Sequence, residues 1–157
     1  MTENEKTITK FYEAFANGDA SKMRKCYHPN IEFRDPIFGS LKGNDVCQMW
    51  EMLIARSNAN IKIKLSNVKS NDYHGVALWV ATYNFSKNKR TVVNSIRAEF
   101  FFQDGLIRRH TDDFDIYRWS KQALGLTGYL FGWTGFMQNK IHTNALSLLK
   151  KYQKTNL

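Results

Sequence analysis

The feature that most limits what this chain can fold into is a change of hydrophobic period near its middle. From residue 61 to residue 117, apolar and polar residues alternate in four runs: 61–66, 76–85, 92–102 and 106–117. Asn71-Asp72, Lys87-Asn88-Lys89 and Asp104-Gly105 separate them and are residue types that turn a chain tightly. Four such strands in succession form an antiparallel meander. A meander has two faces, and its apolar face needs a cover.

The cover comes from upstream. Thr2 and Glu5 make a capping-box pattern, followed by Ile8, Phe11, Tyr12 and Phe15 at helical spacing and by Asn17-Gly18 as a stop. Asp19 caps a short second helix through Met23 and Cys26, and Ile31, Phe33, Asp35 and Ile37 then alternate as a strand, with Gly39 and Gly43 turning the chain beyond it. Asn44 or Asp45 is placed to cap a third helix with the stripe Val46, Met49, Trp50 and Leu53. After Trp119 the segment G-L-T-G-Y-L-F-G-W-T-G leads to an amphipathic helix from Phe136 to about Lys154, carrying Ile141, Ala145, Leu148, Leu149 and Tyr152 on one stripe. Helices therefore cover one face of an antiparallel sheet, an α+β arrangement in a chain of 157 residues, which suits one core.

The net charge of +9 is scattered, and the chain carries no acid after Asp115, so its C-terminal part is purely basic. The basic residues are not interleaved with aromatics as in RNA-binding motifs, which argues for a solvated tail over a nucleic-acid site. The first residues do not read as a secretory leader and no apolar run is long enough to span a bilayer, so a cytoplasmic protein without membrane contact is expected, with Cys26 and Cys47 reduced and packed.

Candidate chemistry emerges from polar residues that share a face with apolar ones. Asp35 lies with Ile31 and Phe33; Asn94 with Val92, Ile96, Ala98 and Phe100; His110 and Asp112 with Phe114 and Ile116. A carboxyl in such a setting is paired, opens on a water-filled space, or is held protonated. Asp35 either caps the turn at Pro36 or faces a ligand. Asp112 is either half of a buried ion pair or, oriented by His110, an acid–base group, while Asp113 and Asp115 fall on the other face. His28 and His74 show no metal-ligand spacing with this pair, and no metal or cofactor is expected. Nucleophile elbows, phosphate-binding loops and dinucleotide fingerprints are absent from the sequence.

Three local patterns, F-Y-E-A-F-A-N-G-D at 11–19, F-R-D-P at 33–36 and D-G-L-I-R-R-H-T-D-D-F-D at 104–115, resemble the SnoaL-like and ketosteroid-isomerase-like branch of the nuclear transport factor 2-like superfamily. The resemblance covers about residues 2–126. It implies a cone-shaped, strongly curved sheet of the cystatin-like type with helices on its concave face, to which residues 127–157 add a C-terminal extension within the same domain. Asp35 matches the general-base aspartate of ketosteroid isomerases, but the tyrosine and aspartate of their oxyanion hole fall at Phe11 and Ala98. His110 and Asp112 are similar to the H-x-D segment of SnoaL-type polyketide cyclases, in which the aspartate is the acid–base group. Limonene-epoxide hydrolases are similar over 112–115, yet their arginine and second aspartate fall at Ala81 and Tyr83.

The expectation is a pocket for a small apolar or aromatic molecule, with Asp112 and His110 as the acid–base unit, Asp35 and Asn94 as polar contacts, and Phe11, Tyr12, Phe15, Phe33, Trp50 and Phe100 as walls. Isomerisation, cyclisation or dehydration would suit it, and a non-catalytic binding or dimerisation module of the same fold is the alternative. A homodimer through the sheet is expected from the alignment of Trp79, Tyr83 and Phe85 on the face opposite Leu78 and Val80.

Overall fold

The computed structural model describes residues 1–58, 60–85 and 89–156; residues 87 and 88 of the expected turn at 87–89 lie outside them. The order is α1 (Glu3–Ala16), α2 (Ala20–Cys26), β1 (Tyr27–Asp35), β2 (Gly39–Lys42), α3 (Asn44–Ser57), β3 (Lys62–Ser70), β4 (His74–Phe85), β5 (Arg90–Gln103), β6 (Leu106–Asp113), α4 (Ile116–Leu124), α5 (Leu126–Phe131) and α6 (Gly135–Thr155). Local chemistry sets the helix starts. In α1 the Glu5 N–H donates to Thr2 Oγ1 and the Thr2 N–H donates back to Glu5 Oε2, both at 3.0 Å. Asp19, Asp115 and Thr134 cap α2, α4 and α6 with their side-chain oxygens. At α3 the expected cap from Asn44 or Asp45 gives way to Gly43, whose φ of 58° turns the chain into the helix without a side-chain bond.

The six strands form one curved, unclosed sheet in the order β2-β1-β6-β5-β4-β3. The meander β3 to β6 is antiparallel as expected, and β1 joins its edge parallel to β6, with Phe33 opposite His110. This parallel pairing brings the N-terminal strand beside the C-terminal one and carries Asp35 to the neighbourhood of Asp112. Helices α1 and α3 fill the concave side, where Ile8, Phe11, Phe15, Met49 and Trp50 meet Phe33, Trp79 and Phe100 in a single core cluster. Ala145 and Leu149 of α6 join the same cluster, and Gln153 donates to Asp45 and Gln48 of α3, so the last helix is packed against α3.

One further expectation is corrected. The fourth meander strand stops at Asp113 rather than running to residue 117: Asp115 caps α4, and Ile116 and Tyr117 lie in that helix. The glycine-punctuated segment forms α5, where Gly128 within the helix and Gly132 at its C-terminal cap let the backbone lie against Ser120 of α4, and a Cβ would strike the Ser120 carbonyl or side chain.

Candidate functional site

Alternation aims the inner residues of three neighbouring strands at one space. Ala81 lies opposite Asn94, Ala98 opposite Asp112, and Phe100 opposite His110, while Ala77 pairs with Ala98 from the other side. Of these alanines Ala81 borders an open space on the concave face, which the aromatic side chains do not fill. A cavity of about 780 Å³ remains, lined by Phe15, Phe33, Trp50, Trp79 and Tyr83 and by the polar residues Asp35, Asn94 and Asp112. Arg56, Asn58, Asn84 and Lys140 line it too, from the end of α3, the end of β4 and α6. A second space of about 660 Å³, lined by Arg34, Thr111, Asp113 and His142, meets Asp35 and Asp112 from the other side. The two acids therefore stand in the wall between two cavities.

Asp112 is 4% exposed and is held by two donors on one oxygen: Trp79 Nε1 at 3.3 Å and His110 Nε2 at 2.9 Å both reach Oδ1. His110 is 0% exposed, and Phe11, Tyr12, Phe33, Phe100 and Trp50 surround its ring, Trp50 stacking on it at 17° between planes. Its Nδ1 lies 2.8 Å from the Tyr27 hydroxyl, which also receives Trp50 Nε1–H at 2.9 Å. Indole N–H can only donate. The Tyr27 hydroxyl accepts from Trp50 and is left with its own proton, which goes to Nδ1; Nε2 then carries the imidazole proton and donates it to Asp112. This arrangement gives the Trp50, Tyr27 and His110 donors one acceptor each, and it fixes the tautomer of His110 from a residue two bonds away. Burial, and after it the charge of Asp112, push the Tyr27 and Tyr12 hydroxyls well above their ordinary range, so both remain protonated.

Asp35 ends β1 and bends the chain. Ile37 N–H and Phe38 N–H donate to its Oδ1 at 2.9 and 2.6 Å, which is the turn-capping role, and the residue lines both cavities as well. Burial, opposed by the Phe38 hydrogen bond, aided by the charge of Asp112 and opposed again by the Ile37 hydrogen bond, raises its carboxyl to about 7. In both acids the hydrogen bonds engage Oδ1 alone. No buried side-chain nitrogen or oxygen among the described residues lacks a partner, so the Oδ2 atoms open onto cavity space.

Asn94, 8% exposed, lines the cavity with no side-chain hydrogen bond to any described residue. Tyr83 is the residue that sequence reasoning missed. Its hydroxyl accepts Trp119 Nε1–H at 2.8 Å, which leaves its own proton for another partner. Burial raises it, the Trp119 bond opposes, and the charge of Asp35 adds to the rise, so the group stays a donor at neutral pH. Trp79, Tyr83 and Phe85 all line the cavity, which corrects their expected part in a dimer face. Both faces of β4 are apolar there, and residue type alone does not say which one turns inward.

Of the expected walls, Phe15, Phe33 and Trp50 reach the cavity, whereas Phe11, Tyr12 and Phe100 pack around His110 in the layer behind it. His110 itself does not line the cavity; it acts on Asp112 from behind. Among the described residues no cluster of three or more His, Cys, Asp or Glu is placed to hold a metal ion, and Cys26 and Cys47 are free and buried.

The profile of the SnoaL-like domain family matches residues 8–110. Among solved structures the chain is similar to Bal32a from a soil-derived mobile gene cassette, with 20% identity over 77% of this chain and 96% of that one and a TM-score of 0.69. It is similar to TerC, crystallised with polyporic acid, at 14% identity over 79% and 100% of the two chains, TM-score 0.69. A candidate polyketide cyclase from Xanthomonas campestris is 21% identical over 77% and 96%, TM-score 0.63. These likenesses establish the fold, in which helices cover the concave side of a curved sheet. No curated protein matches the sequence.

Proposed function

The chain belongs to the SnoaL-like domain family, and from that premise we propose that its cavity binds a small, largely aromatic carbonyl compound and moves a proton at one of its carbons. The observation that carries the reading is the pair of acids: two carboxyls line an aromatic cavity, and one of them is raised to about 7. The cavity volume of about 780 Å³ suits a molecule of drug-like size. That TerC was crystallised with polyporic acid fits an aromatic, oxygen-bearing ligand.

Asp35, half ionised near neutral pH, takes a proton from the carbon beside the carbonyl. Tyr83 O–H and the Asn94 amide donate hydrogen bonds to the carbonyl oxygen, where the electron pair goes. The protonated Asp35 then returns the proton to a second carbon, an isomerisation, or to a departing hydroxyl, a dehydration. Asp112, gripped by His110 and Trp79, stands beside Asp35, and its charge adds to the raised proton affinity of that carboxyl. Asp35 thus takes the part of its counterpart in ketosteroid isomerases, while the oxyanion donors differ, because the positions of theirs fall here at Phe11 and Ala98.

The test is hydrogen-to-deuterium exchange in heavy water across a panel of enolisable cyclic and aryl ketones, followed by proton NMR. Exchange at the α carbon that disappears in Asp35→Asn and falls in Asp112→Asn is expected. Ligands that bind tightly, seen as protection of Trp50 and Trp79 fluorescence from quenching, without any exchange would favour the non-catalytic binding module. The outer face of the sheet, with Leu78, Val93 and Phe101 exposed, supports a homodimer through that face, and a monomeric mass in light scattering at micromolar concentration contradicts it. We place the protein in the cytoplasm, where its two free cysteines stay reduced.

A further inference from the structure

Six large apolar side chains stand in solvent within eleven residues: Leu126, Tyr129, Leu130, Phe131, Trp133 and Phe136. They occupy α5 and the turn into α6, and none belongs to the core. Residues 122–139 carry no charge at all, and the run is bounded by Lys121 and Lys140. The structure gathers more cations around it. Arg90 Nε donates to the Gln122 carbonyl, and its guanidinium lies where a side chain on Gly125 would be, so the β4–β5 hairpin end with Lys89 and Arg90 sits beside this tip. Arg118 is exposed on α4, and Lys140 lies in the second turn of α6.

We infer that this tip is a docking surface for an anionic lipid bilayer, on which the protein lies without spanning it. An uncharged Trp- and Tyr-bearing tip ringed by Lys and Arg matches what the headgroup region offers: apolar depth for Leu and Phe, an interfacial layer for Trp and Tyr, and negative charge around them. Charge decides between occupants. A second copy docking tip to tip would set the flanking Arg90, Arg118, Lys121 and Lys140 of the two copies against each other, whereas an anionic surface relieves both the exposed apolar area and the charge. Among the described residues no helix is long and apolar enough to cross a membrane, and a surface-bound mode needs none. Gly128 and Gly132 lock α5 against Ser120, so the tip is presented by a packed helical hairpin. The base of that hairpin is a cavity wall: Leu124, Thr127, Met137 and Lys140 line the cavity beside the tip. On a bilayer, this wall of the cavity therefore lies next to the lipid surface, which suits ligands that partition into membranes.

The test uses the full chain with vesicles of phosphatidylcholine alone and of phosphatidylcholine mixed with phosphatidylglycerol. Trp133 is 66% exposed while Trp50, Trp79 and Trp119 are buried, so a blue shift of tryptophan emission reports on the tip. Expected are a blue shift and co-flotation with the anionic vesicles, weakened by added salt. Partitioning should fall roughly tenfold or more in Trp133→Ser/Phe136→Ser. Both positions are exposed, and retained far-UV circular dichroism and thermal midpoint confirm that the variant is folded. Absence of flotation, equal partitioning onto neutral vesicles, or equal partitioning of the variant would overturn the inference. So would a concentration-dependent assembly that the variant abolishes in the absence of vesicle binding. The variant leaves Asp35, Asp112, Tyr83 and Asn94 untouched, so any carbon-proton exchange in solution persists in it, and the two readings fail separately.

Discussion

Replacing Tyr27 by Phe removes one oxygen from the core and keeps the ring, which makes the hydrogen-bond relay behind the cavity open to measurement. Tyr27, Trp50 and His110 are 5%, 3% and 0% exposed, so water does not readily replace what is lost. Two groups are orphaned: the Trp50 indole N–H, which donates to Tyr27 at 2.9 Å, and His110 Nδ1, which lies 2.8 Å from it. Each buried polar group left unpaired costs about 1–3 kcal/mol, so Tyr27→Phe should destabilise the protein by about 2–5 kcal/mol. Urea unfolding with unchanged slope reads the loss. The imidazole nitrogen resonances of labelled His110 supply the second readout. In the wild type, Nδ1 should report as the unprotonated nitrogen and Nε2 as the protonated one. A stability change below about 1 kcal/mol, or a wild-type Nδ1 that carries the proton, would refute the relay and with it the orientation of Asp112 by His110.

Asp35 gives a prediction of unusual sign. Its carboxyl is raised from 3.8 to about 7, so the native state binds more protons than the unfolded chain between those values and loses stability as pH rises through them. Linkage gives a loss of about 2–3 kcal/mol between pH 5 and pH 8, and water reaching the cavity reduces that to about 1–3 kcal/mol. Asp35→Asn keeps an oxygen for the Ile37 and Phe38 N–H groups and removes the charge. Relative to the wild type it should therefore gain stability on going from pH 5 to pH 8, measured by urea denaturation at both; an unchanged or shrinking difference contradicts the burial argument. Gly128→Ala puts a methyl against the Ser120 carbonyl, a backbone atom that cannot move aside. We expect about 1–3 kcal/mol of destabilisation from overpacking, with faster amide exchange in α4 and α5, and a loss under about 0.5 kcal/mol would deny the close contact.

The residues that were easiest to read from sequence are those whose local chemistry and tertiary role agree. Thr2 and Glu5 announce α1, and strict alternation between turn signals announces the meander. Asp115 was harder, since the run D-D-F-D-I-Y continues the alternating pattern while Asp115 serves as a helix cap; periodicity and capping compete there, and capping wins. The short strand β2, four residues between two glycines, is too brief to show a period. In α5 the glycines argue against a helix by propensity, and packing against Ser120 overrides them. Asp35, Asn94 and Asp112 were legible because a polar group on an apolar face stands out in a single strand. Tyr83 was not, because its strand is apolar on both faces and its role depends on Trp119, which lies in a different element. The depth of His110 also escaped the sequence, for alternation gives a side chain's face but not how many layers lie above it.

The central claim is that Asp35 carries an exchangeable proton near neutrality at the wall of an aromatic cavity. Its direct test is a carbon-13 NMR titration of the aspartate side-chain carboxyls, with Asp35 assigned by its loss in Asp35→Asn. A midpoint near 7, falling in Asp112→Asn as the neighbouring charge is removed, is the result this account predicts. A midpoint in the ordinary carboxylate range, close to 3.8, would contradict it and leave Asp35 as the cap of a turn.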